Sequence, residues 1–352
     1  MKVAIITDQH FGARNDSINF LDFFEKFYNE TFFPKLEEEG INTVLILGDT
    51  FDRRKYLNFN TLKRAKEMFF DPLAYMGIDV HILAGNHDTY FKNTNEVNSV
   101  DLLLKEYSSS FNVIDHPAEI YVGPHKICMM PWICADNYED SMQMLKNTDA
   151  RYCMGHFEIA GFPMYRGMHA EEGLSHEMFA RYERVLSGHY HTRSKQENIE
   201  YIGTPYEMTW QDSGDPKGFS VFDTETRELT FHQNPFTIHE KIEYNDKEQE
   251  PIDLITLNLK DKYIKLVVIN KTDLYKFDRF VNTLYEQEPY EVKIIEDLSE
   301  FNEGTIDAEI NLEDTVSILG NYIDSVQTEG DKEAIKTFVK SLYIEAINQE
   351  VV

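Results

Sequence analysis

The chain has 352 residues, with 34 Lys and Arg against 62 Asp and Glu, and a formal net charge of -28. That balance excludes a protein that coats nucleic acid or an anionic membrane by bulk charge, because such binding neutralises phosphates with many Lys and Arg. Hydrophobic residues at 42% and aromatics at 13% suffice for a sizeable core, and the length suggests two or three domains. No aliphatic run approaches the roughly 20 residues that span a bilayer, so no membrane helix is expected. Cys128, Cys134 and Cys153 are an odd set without zinc-type pairing, which favours a reducing, cytoplasmic compartment over a disulfide framework.

Val3 to Thr7 reads as the first strand. Leu21, Phe24, Tyr28, Phe32 and Leu36 recur at helical spacing and stop at Gly40, a residue suited to a left-handed helix end. Val44 to Leu47 reads as a second strand, Leu62 to Tyr75 as a helix, Val80 to Leu83 as a third strand and Val97 to Tyr107 as another helix. From about Phe111 the strands come faster, near Ile127 to Met130, Tyr152 to Met154, Val185 to Leu186, Tyr201 to Ile202 and Gly218 to Phe222. This α/β pattern predicts a sheet-rich second half facing the first. Met142, Met144 and Leu145 read as one core helix face.

A charged stretch from Glu243 to Glu250 marks a boundary after a first domain of residues 1–240. Tyr263 to Ile269, Leu274 to Tyr285 and Val292 to Ile295 then read as strand, helix, strand, a small α+β domain over 241–298. Between Glu296 and Asp314 there are eight acids and no base, so 299–311 is expected to be a solvated acidic linker. The apolar spacing after Leu312 predicts a helical hairpin over 312–352. It is too small to bury both of its apolar faces and must dock on its own domain or on a partner.

Five polar motifs stand at or just after predicted strand ends: Asp8-Gln9-His10, Gly48-Asp49-Thr50-Phe51-Asp52, Gly85-Asn86-His87-Asp88, Gly155-His156 and Gly188-His189-Tyr190-His191. In α/β sheets ligands collect where the chain leaves the strand, and a preceding glycine lets the backbone turn tightly and approach an ion. Singly, an Asp-x-His or a Gly-His at a strand end reads more readily as a structural hydrogen-bonding group, and Gly-Asn-His-Asp reads equally well as either. Jointly, the mixture of carboxylate, amide oxygen and imidazole suits a pair of divalent ions such as manganese, with magnesium as the alternative, rather than thiolate-bound structural zinc.

With these five motifs the sequence resembles the calcineurin-like metallophosphoesterases. Ile202-Gly203-Thr204-Pro205 followed by Pro216-Lys217-Gly218-Phe219 is similar to the SbcD-type nuclease subunits of SbcCD DNA repair complexes, including those of T-even-type bacteriophages. The resemblance implies a two-sheet metallophosphoesterase sandwich flanked by helices, with a small α+β cap that contacts DNA and a C-terminal helical hairpin. By it, Asp8, His10 and His191 would hold one ion, Asn86, His156 and His189 the other, and Asp49 would bridge both. Two neighbouring ions lower the pKa of water and clamp phosphate oxygens during in-line attack. The resemblance further makes His87 the general acid, with Asp52 orienting its imidazole; some family members carry His where this chain has Asp52. Asp88 reads as structural support for the ligands.

Arg53, Arg54 and Lys55, followed by Lys63, Arg64 and Lys66, form the concentrated basic stretch. It reads either as a solvated helix face or as a phosphate track, with Tyr56 and Phe59 available for base stacking and Lys217 as a further contact. Trp132 and Trp210 read as packing residues, and the remaining histidines as ordinary core or surface groups. The resemblance implies a metal-dependent DNA exonuclease, with endonuclease activity in prospect, serving recombination, replication and double-strand-break repair in the cytoplasm, or in the host cytoplasm if phage-encoded. Its implied partners are DNA, a second copy meeting through the helices at 62–75 and 97–107, and an SbcC-type coiled-coil ATPase bound by the C-terminal helices. The alternatives are a phosphatase or small-nucleotide phosphodiesterase on the same scaffold, and a scaffold that has lost its metals.

Overall fold

Apolar runs that alternate in the sequence fold into two six-stranded sheets laid face to face. The computed structural model describes residues 1–165, 168–247 and 252–296, together with Lys332 and Lys336. In chain order the strands are β1 (Lys2–Ile6), β2 (Thr43–Ile46), β3 (Asp79–Leu83), β4 (Phe111–Ile114), β5 (Ala118–Val122), β6 (His125–Met130), β7 (Tyr152–His156), β8 (Pro163–Tyr165) and β9 (Met168–His169). They continue with β10 (Arg184–Gly188), β11 (Ser194–Gln196), β12 (Ile199–Tyr201), β13 (Gly218–Asp223), β14 (Leu229–Gln233), β15 (His239–Asn245), β16 (Tyr263–Asn270) and β17 (Glu291–Ile295).

The first sheet runs β14-β13-β1-β2-β3-β4 and the second β11-β12-β10-β7-β6-β5. β1 to β4 are parallel, as are β6, β7, β10 and β12. The strands fill their layers by period-two alternation. Val3, Ile5, Leu45, Met154 and Leu186 enter the layer between the sheets, whereas Ala4, Ile6, Val44 and Ile46 face the helices of the first sheet. Cys153 and Val185 face outward to a third layer, against the helix Tyr138–Asn147. Leu145 of that helix is buried, with Met142 and Met144 partly buried beside it. All three cysteines are free thiols.

The strands expected from sequence sit within a residue or two of their observed bounds, with two differences of arrangement. Gly218–Asp223 does not extend the second sheet but returns to the first, antiparallel to β1. The helix expected over 97–107 is shorter: it spans Ser99–Leu103, capped by the Asn98 side chain, and a 3-10 turn Lys105–Tyr107 follows.

Two helices on the first sheet each contain a π-turn. Ile18–Phe27 continues through Tyr28–Phe32 into Phe33–Glu39, and Phe59–Ala65 through Lys66–Phe70 into Asp71–Tyr75. The cause is legible in Pro34 and Pro72. Proline has no N–H to give its i−4 carbonyl, so the residue before it reaches back five positions, Phe33 to Tyr28 and Asp71 to Lys66. Both bulges turn aromatic rings toward each other, with Phe69 lying 4.7 Å from Tyr28 and 5.8 Å from Phe32, centroid to centroid.

β15, β16 and β17 form a separate parallel sheet against the helix Leu274–Glu286, whose N-terminus Asp273 caps. The strand-helix-strand reading of this region lacked β15. Residues 1–296 form one compact unit, joined here by Tyr263 stacked on Phe20 and by Lys265 over the Trp210 ring. The acidic linker expected at 299–311 and the hairpin at 312–352 lie outside the described residues, apart from Lys332 and Lys336. Among the described residues no helix is long and apolar enough to cross a membrane.

Tyr206 ties helix to strand end. It is fully buried, stacks on Phe24 at 3.7 Å, and its hydroxyl donates to the carbonyl of Gln9 at 2.7 Å. Tyr206→Phe is expected to cost about 1–3 kcal/mol by leaving that carbonyl unpaired, and Tyr206→Ala about 3–5 kcal/mol by adding a cavity. Urea unfolding midpoints check both; an alanine variant as stable as the parent would refute the packing account.

Candidate metal centre

β1, β2, β3, β7 and β10 all end on the same side of the sandwich, so their following residues converge where the two sheets meet. β1 delivers Asp8 and His10, β2 delivers Asp49, β3 delivers Asn86 and His87, β7 ends on His156, and β10 leads to His189 and His191. The convergence requires unusual backbone. Asp8, His10, Asp49 and His189 have φ of 51°, 45°, 51° and 88°, a left-handed state costing of order 1–3 kcal/mol for each such residue. It also requires absent side chains. A Cβ on Gly85 would lie 2.2 Å from Asp49 Oδ1, and one on Gly188 would lie 2.1 Å from Thr7 Oγ1.

Two ligand sets assemble, one around Asp8, His10 and His191 and one around Asp49, His156 and His189, with donor atoms within 4.8 Å of one another in each. The Asn86 amide oxygen joins the second, 2.9 Å from His156 Nε2 and 3.0 Å from His189 Nδ1. Asp49 Oδ2 is 3.2 Å from His156 Nε2 and 3.8 Å from His10 Nε2, so its carboxylate faces both sets. His10 Nε2 and His191 Nε2 approach to 3.1 Å. Oxygen and nitrogen lone pairs converge on two points without a competing lysine or arginine among the donors, and this donor set fits divalent ions.

Without ions, protons distribute themselves over the cluster in their place. Burial disfavours the charged form of His10, but the Asp52 hydrogen bond and the charges of Asp49, Asp52 and Asp8 raise it to about 9. His156 is also raised to about 9 against its burial, by Asp49, Asp8 and the Leu47 carbonyl. His191 is driven down to about 3 by burial and by the charge of His10, and His189 is held well below its ordinary value by burial and His156. Burial and the neighbouring Asp49 charge raise Asp8, whereas Asp49, despite its burial, is held well below the usual range by His156, His87 and His10.

Asp52 takes a different part from the one expected. Its carboxylate lies 3.3 Å from Nδ1 of His10, not against His87. It is the Asp52 backbone carbonyl that meets His87 Nδ1, at 2.7 Å. The carbonyl only accepts, so Nδ1 bears the hydrogen and Nε2 is the ring atom left for proton transfer. His87 also lies within ligand reach of His10 and Asp49. Asp88 is buried and accepts from the backbone N–H groups of Thr50, Phe51 and Gly85, pinning the β2 and β3 loops together.

The basic stretch divides. Its helical part is matched by acids: Arg64 with Asp22 and Glu25, Lys63 with Glu67 and Lys66 with Glu106. The loop part adjoins the centre. Arg53 is held by Asp16 and Asn15 and lies over Tyr56, Arg54 has a buried Nη1 without a hydrogen-bond partner, and Lys55 is exposed. Lys217 corrects the expectation of a DNA contact. It is 4% exposed, pairs with Asp212 at 2.6 Å and donates to the His191 carbonyl at 3.0 Å, so its charge is consumed inside the fold. Sequence reading missed this pair, and it missed Trp132, whose ring stands 5.1 Å from that of His189. Trp132 stands two residues past the end of β6, near a strand end like the motifs, and that position was the available signal.

The calcineurin-like phosphoesterase family matches residues 1–193. Exonuclease subunit 1 of Enterobacteria phage T4 is 31% identical over 315 residues, covering 88% of this chain and 89% of that protein. Two solved structures are far more distant. A dimetal phosphatase from Danio rerio has 13% identity and a TM-score of 0.39, covering 63% of this chain and 91% of its own. The Pseudomonas putida nuclease MPE has 15% identity and a TM-score of 0.33, covering 62% and 83%. A family match across more than half of the chain and a relative aligned along most of its length lead to one assignment: this protein is a member of the calcineurin-like phosphoesterases.

Proposed function

We propose that this chain is a DNA nuclease, the hydrolytic subunit of an SbcCD-like recombination and repair assembly, working with two divalent ions of which manganese is the best fit. The observation that carries the proposal is the pair of donor sets sharing the Asp49 carboxylate. The kinship with a phage exonuclease subunit along 88% of the chain supports DNA as substrate. Asp8, His10 and His191 would hold one ion and Asn86, His156 and His189 the other, with Asp49 facing both sets. When bound, the ions supply Lewis acidity to water and to the phosphate oxygens. His87 delivers a proton from Nε2 to the leaving sugar oxygen, oriented by the Asp52 carbonyl. The Asp52 carboxylate holds His10 in place and increases its basicity.

Arg53, Arg54 and Lys55 line the approach to the centre and contact phosphates. Tyr56, 64% exposed, and Phe59, 90% exposed, offer rings to unpaired bases. Tyr75 and Leu102 are exposed on the helices nominated for a homodimer, which supports a second copy at that face. An ATPase partner is proposed for residues 312–352 on their apolar spacing alone.

Manganese with end-labelled duplex DNA is the primary test; turnover of a cyclic nucleotide in preference to duplex would replace this reading with a small-nucleotide phosphodiesterase. His87→Ser is expected to lower DNA cleavage by at least about 100-fold while the protein still binds manganese, and wild-type cleavage would remove His87 from the mechanism. Deleting 312–352 is expected to abolish co-purification with a coiled-coil ATPase and to spare hydrolysis of a small phosphodiester.

Ion loading must displace the protons on His10 and His156, both raised to about 9. Calorimetry at pH 7.5 in two buffers of different ionisation enthalpy should report release of about two protons on manganese binding, with affinity rising until about pH 9. The sign for stability is opposite. The raised folded values stabilise the ion-free protein below about pH 6.5, and that contribution is lost as the pH rises through about 9. A manganese affinity independent of pH would contradict this account.

A further inference from the structure

Away from the metal centre, β11 and β14 end their respective sheets, and the gap between these two edges is a cleft of about 570 Å³. Strand parity explains what points into it. Leu186, Glu200 and Lys195 stand side by side on β10, β12 and β11, and Leu186 belongs to the layer between the sheets. Lys195 and Glu200 therefore face the same layer, as do Arg184 and Arg193, each two residues away from a member of that row. The Arg193 guanidinium lies 4.6 Å from the ring centroid of Phe231 on β14.

The charges in the cleft do not balance. Glu200 is buried and serves three cations at once, Arg193, Lys195 at 3.5 Å and Arg184 at 3.8 Å. Arg227 adds a fourth at the mouth, where it reaches Glu183 at 3.7 Å, and Glu228 is the other lining acid. Four positive groups thus face three carboxylates, Glu200, Glu228 and Glu183, in a chain whose net charge is -28. Arg193 Nε is buried there without a hydrogen-bond partner. A network that only closed the sheet edge would need no surplus of cations and would leave no donors idle.

We propose that this cleft binds a phosphate group, supplied by the nucleic-acid strand as it passes the metal centre. The strand as source rests on the nuclease reading; the phosphate chemistry does not. Arg193 follows the proposed ligand His191 by two positions in the chain, and its guanidinium reaches Glu200, opposite Leu186 on β10. Arg184 begins β10, five residues before His189 and roughly 16 Å away along the strand. The cleft would hold the strand a few nucleotides from the scissile bond and supply cations that the acidic chain otherwise lacks.

The test uses the full chain with ions removed by EDTA, so that the metal centre does not compete. Inorganic phosphate, compared with chloride at equal ionic strength, is expected to raise the melting temperature of the wild type, and Lys195→Gln/Arg227→Gln should weaken that response about tenfold. No response in the wild type, or an equal response in the variant, overturns the proposal. With a single-stranded oligonucleotide, the slope of log K against log salt should fall by about 0.7 in the variant, the loss of one phosphate contact. Lys2→Gln/Lys146→Gln, which removes two cations outside both the cleft and the cap, should leave the slope unchanged; an equal fall would mean bulk charge and overturn the site. If the phosphate response is lost but the slope stays the same, the occupant is free phosphate or a nucleotide and the strand assignment fails. If the phosphate arm succeeds and manganese-loaded protein does not cut DNA, the nuclease reading alone fails.

Discussion

Asp8 and Asp49 are buried carboxylates that face the same imidazole, His10, at 4.0 and 3.8 Å. Two like charges in that position are tolerable only with positive charge between and around them. Much of the surrounding architecture follows from this constraint. It demands donors from both sheets, because no single strand end can surround the pair. It demands left-handed backbone at four of the proposed ligands, because an extended chain would carry their side chains past the meeting point. In the ion-free protein the same constraint is met by protonated His10 and His156, and ion binding and proton loss therefore describe one equilibrium.

Strain of this kind persists only where the surroundings overdetermine it. Behind the centre those surroundings are aromatic and interlocked. Phe11, one residue beyond His10, lies against Tyr28, Phe51, Phe69 and Phe70. Tyr206 holds the Gln9 carbonyl between two ligands, and Asp88 holds three backbone N–H groups of the neighbouring loops. Buried Lys217 grips the carbonyl of His191 from the other side. The proposed ligands are thus positioned by groups outside either donor set.

Much of this was legible in the linear order of residues. Apolar strands followed at once by Asp, Asn or His were visible because a polar group there has no packing role, and the same order identified the side of the sandwich that carries the site. Less visible was anything depending on a partner distant in sequence or on direction. Asp52 was assigned to His87, yet side chain and carbonyl of one residue point different ways, and only the carbonyl meets that ring. Lys217 looked like a free cation because nothing in its own segment marks Asp212 as a buried counter-charge. β5 and β14 escaped notice because their strands are half exposed and mix polar with apolar residues. The cationic cleft was invisible for the same reason: its members come from β10, β11, β12 and the β13–β14 hairpin and meet only when the two sheets close.

The return of β13 to the first sheet constrains the order in which the chain can mature. During synthesis β1 emerges first, and β2 can pair with one of its edges early, whereas the other edge waits for Gly218–Asp223. Through some two hundred residues of elongation, a strand whose interior is wholly buried in the finished fold stays open on one side. Such an edge is a template for unwanted pairing. Asp8 and His10 hang from that strand, and His189 and His191 emerge only shortly before its closing partner. A ribosome-bound fragment ending before β13 would therefore carry every proposed ligand, with Asp8 and His10 free to bond the Gly48 and Asp49 carbonyls beyond β2, and still leave the far edge of β1 without its partner.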